Sequence, residues 1–278
     1  MRTVKADEVR DAVKNLFIKA NYLLPDDILV KIDEQNKKEE SKTAKSMLDI
    51  LKKNAETARD KKIPICQDTG MAVLFAEIGQ DVLFTGGLFN DAVNEGVRQA
   101  YDEGFLRKSV VRDPIYRENT GDNTPAVIYI EYKKGSRVKL CAIPKGFGSE
   151  NMSRQRMLVP SATESDIIEF VVETVKIAGA NPCPPIVIGV GLGGTFDYSC
   201  VLAKKALCRE IGSDNGLHNT LANKILKEVN QTGIGVQGLG GKTTALGVNI
   251  ESYPTHIASL PVAVNISCHA TRHSVVIL

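Results

Sequence analysis

The sequence lacks the features that define several large classes of protein. Its 278 residues carry 35 basic and 33 acidic side chains, so no excess of positive charge indicates a nucleic-acid binder. No apolar run approaches the ~20 residues that a membrane-spanning helix needs. The first residues, Met1–Asp7, have no apolar stretch of the kind found in signal peptides. We therefore expect a cytoplasmic globular protein that binds neither nucleic acid nor membrane.

Closely spaced cysteine pairs are also missing. None of the six cysteines forms a C-x-x-C pair with another, which disfavours zinc ribbons and thioredoxin-like redox motifs. In a reducing compartment six scattered cysteines are not a disulfide framework. Cys141 lies within a predicted strand, and Cys200 and Cys208 lie on a predicted helix. We assign these three cysteines to packing.

The order of predicted elements indicates an α+β (mixed α/β) fold. Apolar residues at helical spacing predict a helical subregion over residues 1–60, with a charged, solvated face at Lys37–Glu40. The segments 127–132 and 137–143 are typical of two strands joined in an antiparallel hairpin. Further helices and strands alternate after them, so we expect mixed sheets with hairpins and packed helices. No repeat or linker is evident, and we expect one domain over residues 1–278.

Two glycine-rich motifs resemble nucleotide-binding sequences without completing them. Gly189–Gly194 fits G-x-G-x-x-G between a predicted strand and helix, but no acidic residue ends a second strand about 20 positions later. We expect a glycine turn there that lets a ligand approach the backbone, and we keep an NAD-binding oxidoreductase as an alternative. Gly240–Thr244 resembles the end of a P-loop, but Val236 replaces its first glycine and a strand follows. ATP binding is therefore rejected.

Three cysteines lie in loops at strand ends, where functional sites are usually built. Cys66 precedes a predicted strand, Cys183 lies in a proline-stiffened turn before another, and Cys268 follows a third. Iron–sulfur clusters normally use four cysteines, so three converging thiolates leave one iron open for catalysis. An open iron acts as a Lewis acid on a hydroxyl group, which predicts the addition or removal of water. The alternative is a non-catalytic binding module in which the three cysteines stay apart.

Other residue types point to an anionic substrate and to proton transfer. A guanidinium binds a carboxylate through two hydrogen bonds, and Arg107 is a candidate for this role, although most exposed arginines are simply solvated. The glycines of the loop 144–151 offer backbone N–H groups to an anion, or form an ordinary strand-to-helix turn. Asp68 and His256 are candidates for acid–base work, while a lone histidine is more often structural.

Taken together, these segments resemble the class I, iron–sulfur-dependent fumarate hydratases and the related L-tartrate dehydratases. The match is to their separate α subunit, which is equivalent to the N-terminal domain of the fused enzymes. Six motifs in order along the chain carry the resemblance: Cys66–Gly70, Glu118–Asn123, Pro144–Asn151, Gly191–Phe196, Tyr253–Ser259 and Asn265–Cys268.

The resemblance implies a role for each matching residue. It makes Cys66, Cys183 and Cys268 the ligands of a 4Fe–4S cluster. It makes Gln67 and Arg107 carboxylate-binding positions, and Asp68 and His256 a proton pair at the substrate hydroxyl. One glycine of the 146–148 loop is a backbone contact, and we favour Gly148.

The resemblance also implies a reaction and a partner. The expected reaction is the reversible trans hydration of fumarate to L-malate, a step of the tricarboxylic acid cycle, with L-tartrate dehydration as the alternative. Fused relatives continue into a second domain that supplies the base for the C3 proton. Here the sequence ends ten residues after Cys268, so we expect a separate β subunit to supply it, in an α2β2 heterotetramer.

Overall fold

The computed structural model describes all 278 residues and confirms an α+β architecture. The helices are α1 Ala6–Tyr22, α2 Asp26–Lys38, α3 Lys42–Lys61, α4 Phe89–Glu103, α5 Phe147–Glu150, α6 Glu164–Ala178, α7 Phe196–Ala206 and α8 Asn219–Asn230. The strands are β1 Arg2–Lys5, β2 Met71–Gly79, β3 Val82–Thr85, β4 Val127–Lys133, β5 Val138–Lys145, β6 Arg154–Leu158, β7 Ile186–Gly194, β8 Ala245–Thr255, β9 Leu260–Ser267 and β10 Ser274–Ile277. None of the helices combines the length and apolar character that crossing a membrane requires.

The chain divides into two compact units, each built from separate segments. Unit 1 comprises Met1–Leu24, Asn54–Phe147 and Arg272–Leu278, and unit 2 comprises Pro25–Lys53 and Gly148–Thr271. Each unit has its own sheet and its own apolar core. The expectation of one domain over the whole chain stays a prediction.

Unit 1 is built on a four-stranded sheet in the order β10-β5-β2-β4. The central strand β2 is parallel to β4 and antiparallel to β5. Its core joins this sheet to α1 and α4, whose apolar residues recur at helical spacing. A smaller parallel pair, β1 with β3, completes the unit.

The predicted hairpin of β4 and β5 is wrong, because β2 lies between these two strands. The loop that joins them crosses the end of β2 and hydrogen-bonds to it: the Gly79 N–H donates to the Arg137 carbonyl (2.8 Å) and the Asp81 N–H to the Gly135 carbonyl (3.0 Å). A Cβ at Gly79 would lie 2.3 Å from the Gly135 oxygen, so only glycine allows this crossing. The short connection suggested a hairpin, but the more buried β2 occupies the central position.

Unit 2 contains a second four-stranded sheet, in the order β6-β9-β7-β8. β7 is parallel to β8 and antiparallel to β9, and helices α6 and α8 pack on it through an apolar core. Helix α6 is Glu164–Ala178. Thr163 and Asp166 form a capping box at its start, and Gly179 with a φ of 53° ends it.

The first glycine-rich motif does not form the expected turn. Gly189 and Gly191 lie inside β7, and helix α7 packs directly against them. A Cβ on Gly189 would lie 2.1 Å from the Ala203 carbonyl oxygen, and one on Gly191 would lie 2.0 Å from that of Ser199. These glycines therefore serve helix–sheet packing rather than the approach of a ligand.

The charge run at residues 37–40 is not a wholly solvated face. Glu39 is 2% exposed and follows the end of α2. Its carboxylate accepts hydrogen bonds from the backbone N–H groups of Glu40 and Ser41, from the Lys242 N–H (2.9 Å) and from the Thr243 hydroxyl (3.2 Å). Burial raises the pKa of Glu39, but these hydrogen bonds outweigh it and hold the pKa below its ordinary value. The P-loop-like segment thus binds an internal carboxylate.

Candidate active site

In unit 1, the segment Cys66–Gly70 forms the loop that leads into β2. The Ile65 N–H donates to the Asn21 carbonyl (2.9 Å), and the Asn54 amide donates to the Ile65 carbonyl (2.8 Å), which fixes the start of this loop. Cys66 is half-buried, and its thiol lies 3.3 Å from the side-chain oxygen of the exposed Gln67. The thiol and the amide are therefore presented side by side.

The Asp68 side chain is held in one orientation by two backbone donors. Its Oδ1 accepts from the Gly70 N–H (3.0 Å) and its Oδ2 from the Phe147 N–H (2.8 Å). Both partners are backbone N–H groups, so each carboxyl oxygen of Asp68 has one donor and the side chain has one fixed direction. The hydrogen bond from the Phe147 N–H also joins the motif Cys66–Gly70 to the segment that follows β5.

Glycine is required where these two motifs meet. Gly70 has a φ of 76°, and a Cβ there would lie 2.6 Å from the backbone nitrogen of Lys145. A Cβ at Gly146 would lie 3.1 Å from Oδ2 of Asp68. The absence of side chains at these positions lets the end of β5 pack closely against the loop before β2.

Arg107 lies in the loop after α4, with an exposed side chain. Its carbonyl accepts from the Thr69 hydroxyl (3.1 Å). The neighbouring N–H groups of Ser109 and Val110 donate to Oδ1 of Asn123 at 2.7 and 3.2 Å. The loop that carries this guanidinium is therefore attached to the loop that carries Gln67 and Asp68.

Asn123 makes this attachment, and the sequence analysis gave it no role. Besides accepting the two bonds from the Arg107 loop, its Nδ2 donates to the Gly70 carbonyl at 3.3 Å. It is fully buried and has a φ of 62°, a conformation that asparagine tolerates better than most residues. The signal in the sequence was an asparagine within a turn-forming run, N-T-G-D-N-T-P.

Two further buried side chains hold the same loop. The Tyr101 hydroxyl lies 2.8 Å from the carbonyl oxygens of both Thr69 and Gly70, and Nη2 of Arg272 donates to the Asp68 carbonyl at 2.6 Å. Burial raises the pKa of Tyr101, so it stays a neutral donor. No spacing in the sequence connects these residues with the loop; only the tertiary structure does.

In unit 2, the structure brings together the loops of Cys183 and Cys268. Strands β7 and β9 pair antiparallel with Val187 opposite Ser267, so the residues before β7 and after β9 lie at the same edge of the sheet. The His269 N–H donates to the Cys183 carbonyl at 3.3 Å, and Nδ1 of His269 lies 3.1 Å from the same oxygen. The loops that carry Cys183 and Cys268 are therefore in contact.

The cysteines differ in how accessible their side chains are: Cys183 and Cys268 are at least partly exposed, as a ligand must be, whereas Cys141 is buried. Cys183 is exposed with a φ of 54°, Cys268 is half-buried, and neither is in a disulfide. Cys141 is buried in β5, as predicted. The assignment of Cys200 to packing is wrong in one respect, because it lies exposed on α7. Burial of part of its side chain still raises the pKa of its thiol.

The predicted three-cysteine set spans both units. Within either unit, no three histidine, cysteine, aspartate or glutamate side chains form a metal-binding group. Cys183 and Cys268 supply two sulfur donors from unit 2, and Cys66 supplies one from unit 1. Thiolate sulfur is the donor that iron–sulfur clusters require, and cysteines on loops fit that chemistry. The convergence of all three stays a prediction.

His256 follows β8 and is exposed. Its Nδ1 accepts a hydrogen bond from the Ala258 N–H at 3.1 Å. In the neutral imidazole the proton is therefore on Nε2. The Thr255 hydroxyl donates to the Gly194 carbonyl (3.0 Å), which fixes the backbone before the histidine to the end of β7.

Gly148 lies exposed in the short helix α5. A Cβ built there would lie 3.6 Å from the Asn181 carbonyl oxygen, an ordinary van der Waals contact. Next to it, Glu150 accepts from the ammonium of Lys204 (2.6 Å) and from the Asn265 amide (3.1 Å). These bonds connect the glycine loop to α7 and to β9, the strand that ends before Cys268.

Comparison with known proteins gives a consistent family match. A sequence model described as "Fumarate hydratase (Fumerase)" matches residues 10–277. The "Putative L(+)-tartrate dehydratase subunit alpha" of Methanocaldococcus jannaschii is 41% identical over 278 residues, covering 96% of each chain. The L(+)-tartrate dehydratase subunit alpha of Escherichia coli K12 is 29% identical over 279 residues, covering 98% of this chain and 91% of its own. The protein of the same name from E. coli UTI89 is 30% identical over 273 residues, covering 96% and 89%.

Proposed function

This chain belongs to the fumarate hydratase (Fumerase) family of hydro-lyases, and from that premise we propose that it is the α subunit of an iron–sulfur hydro-lyase. Its reaction is the reversible removal of water from a small hydroxy-dicarboxylate. The relatives named above are alpha subunits, which supports a separate β subunit as its partner. We extend this to an α2β2 heterotetramer in the cytoplasm.

The observation that carries the proposal is the junction of the Cys183 and Cys268 loops in unit 2. The contacts of His269 with the Cys183 carbonyl hold the loops of Cys183 and Cys268 together at one sheet edge, which supports two ligands from distant parts of the sequence. A structural cysteine is normally buried, whereas Cys183 is exposed. Exposed, paired loops of this kind favour a ligand role.

We propose that Cys66, Cys183 and Cys268 hold a 4Fe–4S cluster. When bound, such a cluster supplies an open iron as a Lewis acid for the substrate hydroxyl. The remaining chemistry belongs to the side chains of this chain and of the β subunit.

Substrate binding falls to the exposed polar groups of the first unit and to the glycine loop. The Arg107 guanidinium binds one carboxylate through two parallel N–H bonds, and the Gln67 amide donates to the same class of group. The backbone N–H of Gly148 receives a carboxylate oxygen. Because Asn123 and Thr69 fix the Arg107 loop to the Gln67 loop, these donors are preorganised rather than ordered on binding.

Proton transfer at the hydroxyl falls to Asp68 and His256. In dehydration the C–O bond breaks, and the departing oxygen needs a proton to leave as water. Because Nδ1 of His256 accepts from the Ala258 N–H, the imidazole presents its Nε2–H to that oxygen as a hydrogen-bond donor, and the proton that completes the water molecule comes from solvent through the Asp68–His256 pair. Asp68 is held in one orientation by its two backbone donors and is the second member of this proton pair. The C3 proton goes to a base of the β subunit.

The substrate is either L-tartrate or L-malate. The names of the relatives favour L-tartrate, whereas the description of the family favours malate and fumarate. The two substrates differ by a hydroxyl group on C3. The site residues described above bind carboxylates and the C2 hydroxyl, which both substrates share, so they do not discriminate between the two.

The test is reconstitution of the α–β complex with iron and sulfide under anaerobic conditions, followed by rate measurements on both substrates. We expect dehydratase activity that oxygen abolishes and that Cys183→Ser reduces at least a thousandfold, with the faster substrate identifying the enzyme. Cys200→Ala is the matched control, an exposed cysteine of the same unit, and keeps its activity. Activity that survives both oxygen and Cys183→Ser overturns the proposal.

A further inference from the structure

Arg272 is a buried arginine outside all the motifs described above. It lies four residues after Cys268 in the sequence and begins the last segment of unit 1, before β10. It is only 4% exposed. Arginine is almost never fully buried unless its charge is paired, so this position calls for an acceptor.

The structure gives Arg272 a single hydrogen bond. Its Nη2 donates to the Asp68 carbonyl at 2.6 Å, while its Nε and Nη1 are buried with no hydrogen-bond partner. The one acceptor is a neutral carbonyl, so the bond does not balance the charge. The Asp68 carboxylate is taken up by the N–H groups of Gly70 and Phe147.

The surroundings of Arg272 are rigid. Three successive carbonyls of the loop accept hydrogen bonds. The Asp68 carbonyl accepts from Arg272, those of Thr69 and Gly70 lie within hydrogen-bond distance of the Tyr101 hydroxyl, and that of Gly70 also accepts from Asn123. Tyr101 and Asn123 are buried, so the guanidinium is fixed at the base of the loop that carries Cys66, Gln67 and Asp68. The charge of Arg272 also acts on Tyr101: burial raises the pKa of the tyrosine, and the positive guanidinium partly opposes this by lowering it.

A buried cation with two free donors beside a catalytic loop is a site for an anion. We propose that Arg272 is a positioning residue that holds the Asp68 backbone and gives its unpartnered N–H groups to the anionic ligand bound at the Cys66–Asp68 loop. The anion has two possible sources, the thiolate-bound cluster and a substrate carboxylate. This inference rests on the proposed function for the identity of the anion, but not for the existence of the anion site.

The first experiment compares stability with and without the cluster. Arg272→Met and Arg272→Lys are made in the full α–β complex, and thermal unfolding midpoints are measured for the apo and the reconstituted forms. We expect Arg272→Met to lower the midpoint of the reconstituted complex by several degrees more than that of the apo complex, because the substitution removes an unpaired charge from the apo form. Arg272→Lys keeps the charge and gives an intermediate effect.

Arg2→Met is the matched control in the same unit. Arg2 also donates to backbone carbonyls, those of Ser136 (3.2 Å) and Leu278 (2.6 Å), but it is exposed. We expect it to shift both midpoints equally. Equal shifts in Arg272→Met as well exclude the cluster as the anion and leave only the substrate carboxylate.

Iron content and kinetics distinguish the two sources. If the cluster is the anion, Arg272→Met lowers the iron and sulfide content and changes the visible absorption of the complex. If a substrate carboxylate is the anion, the cluster signals stay unchanged and KM rises at least tenfold, with a smaller change in kcat. Unchanged cluster signals together with unchanged KM contradict the proposal.

A third measurement separates this inference from the proposed function. Malonate, a dicarboxylate with no hydroxyl to eliminate, is added to the apo complex, and the thermal shift is recorded. We expect malonate to stabilise the wild type and Arg2→Met but not Arg272→Met. If the reconstituted wild type is inactive but still shows this Arg272-dependent shift, the proposed function is refuted and the anion site is supported. If malonate shifts Arg272→Met as much as the wild type, or does not shift the wild type, the anion site is refuted.

Discussion

Asn123→Ala tests whether one buried amide positions the Arg107 loop. The side chain makes three hydrogen bonds, two from the N–H groups of Ser109 and Val110 and one to the Gly70 carbonyl. Its removal leaves at least the buried Val110 N–H without an acceptor, at a cost of about 1–3 kcal/mol. Alanine at a φ of 62° adds about 1 kcal/mol. The expected loss in the free energy of unfolding is about 2–4 kcal/mol.

The assay combines urea unfolding, followed by circular dichroism, with steady-state kinetics of the α–β complex. Because Arg107 is held through this amide, we expect KM for the dicarboxylate to rise about tenfold or more. Asn123→Gly is the matched variant, since glycine accepts the positive φ and removes only the hydrogen bonds. It is expected to reproduce the KM effect at a smaller cost in stability.

The reasoning is refuted if Asn123→Gly leaves KM unchanged. In that case the hydrogen bonds stabilise unit 1 without setting the position of the guanidinium. A loss in stability below 1 kcal/mol for Asn123→Ala contradicts the estimated cost of the unpaired Val110 N–H.

Three further predictions concern unit 2. The pKa of Glu39 lies below its unfolded value, so the ionised carboxylate stabilises the fold above about pH 4.5, and this contribution is lost as the pH falls through the lower, folded pKa. In urea titrations the difference in free energy of unfolding between wild type and Glu39→Gln should narrow below pH 4.5. A difference that stays constant with pH contradicts this. Gly191→Ala places a Cβ 2.0 Å from the Ser199 oxygen and should lower the free energy of unfolding by about 3 kcal/mol or prevent folding. Gly212→Ala is the control: its Cβ meets open space, so only its positive φ should lower this free energy, by about 1 kcal/mol. Equal losses in urea unfolding refute the packing role of Gly191. Glu150→Gln removes the ion pair with the largely buried Lys204, which helps to hold the Gly148 loop in place, and should therefore raise KM several-fold. An unchanged KM in steady-state kinetics shows that the position of the loop does not depend on this ion pair.

Much of the fold was predictable because helical periodicity is a local property. The helical subregion predicted over residues 1–60 contains α1, α2 and nearly all of α3, and the break between α2 and α3 overlaps the charged stretch 37–40. Strand pairing is not local. The segments of β4 and β5 are correct as strands, but their paired residues in β2 lie 54 to 74 positions earlier in the chain.

The short strands β1, β3, β6 and β10 were missed for a related reason. Each has four or five residues, and most of these residues are exposed or half-buried. Such strands form because a neighbour offers free backbone groups, and their own sequence carries little alternation of apolar and polar residues. Their register is set by the partner strand.

The site residues divide in the same way. Cys66, Asp68, Cys183 and Cys268 could be proposed as site residues because their chemistry and their loop positions are visible in the sequence. Arg272, by contrast, is one of 35 basic residues, and only burial and its contact with the Asp68 carbonyl distinguish it.

Iron analysis of single cysteine variants tests the central claim most directly. The α–β complex is reconstituted anaerobically with Cys66→Ser, Cys183→Ser, Cys268→Ser and, as control, Cys200→Ser, and iron and acid-labile sulfide are quantified per complex. We predict that each of the first three variants loses most of the cluster, while Cys200→Ser retains the wild-type content of about four irons per α chain. Full iron content in any one of the first three variants contradicts a cluster held by these three thiols.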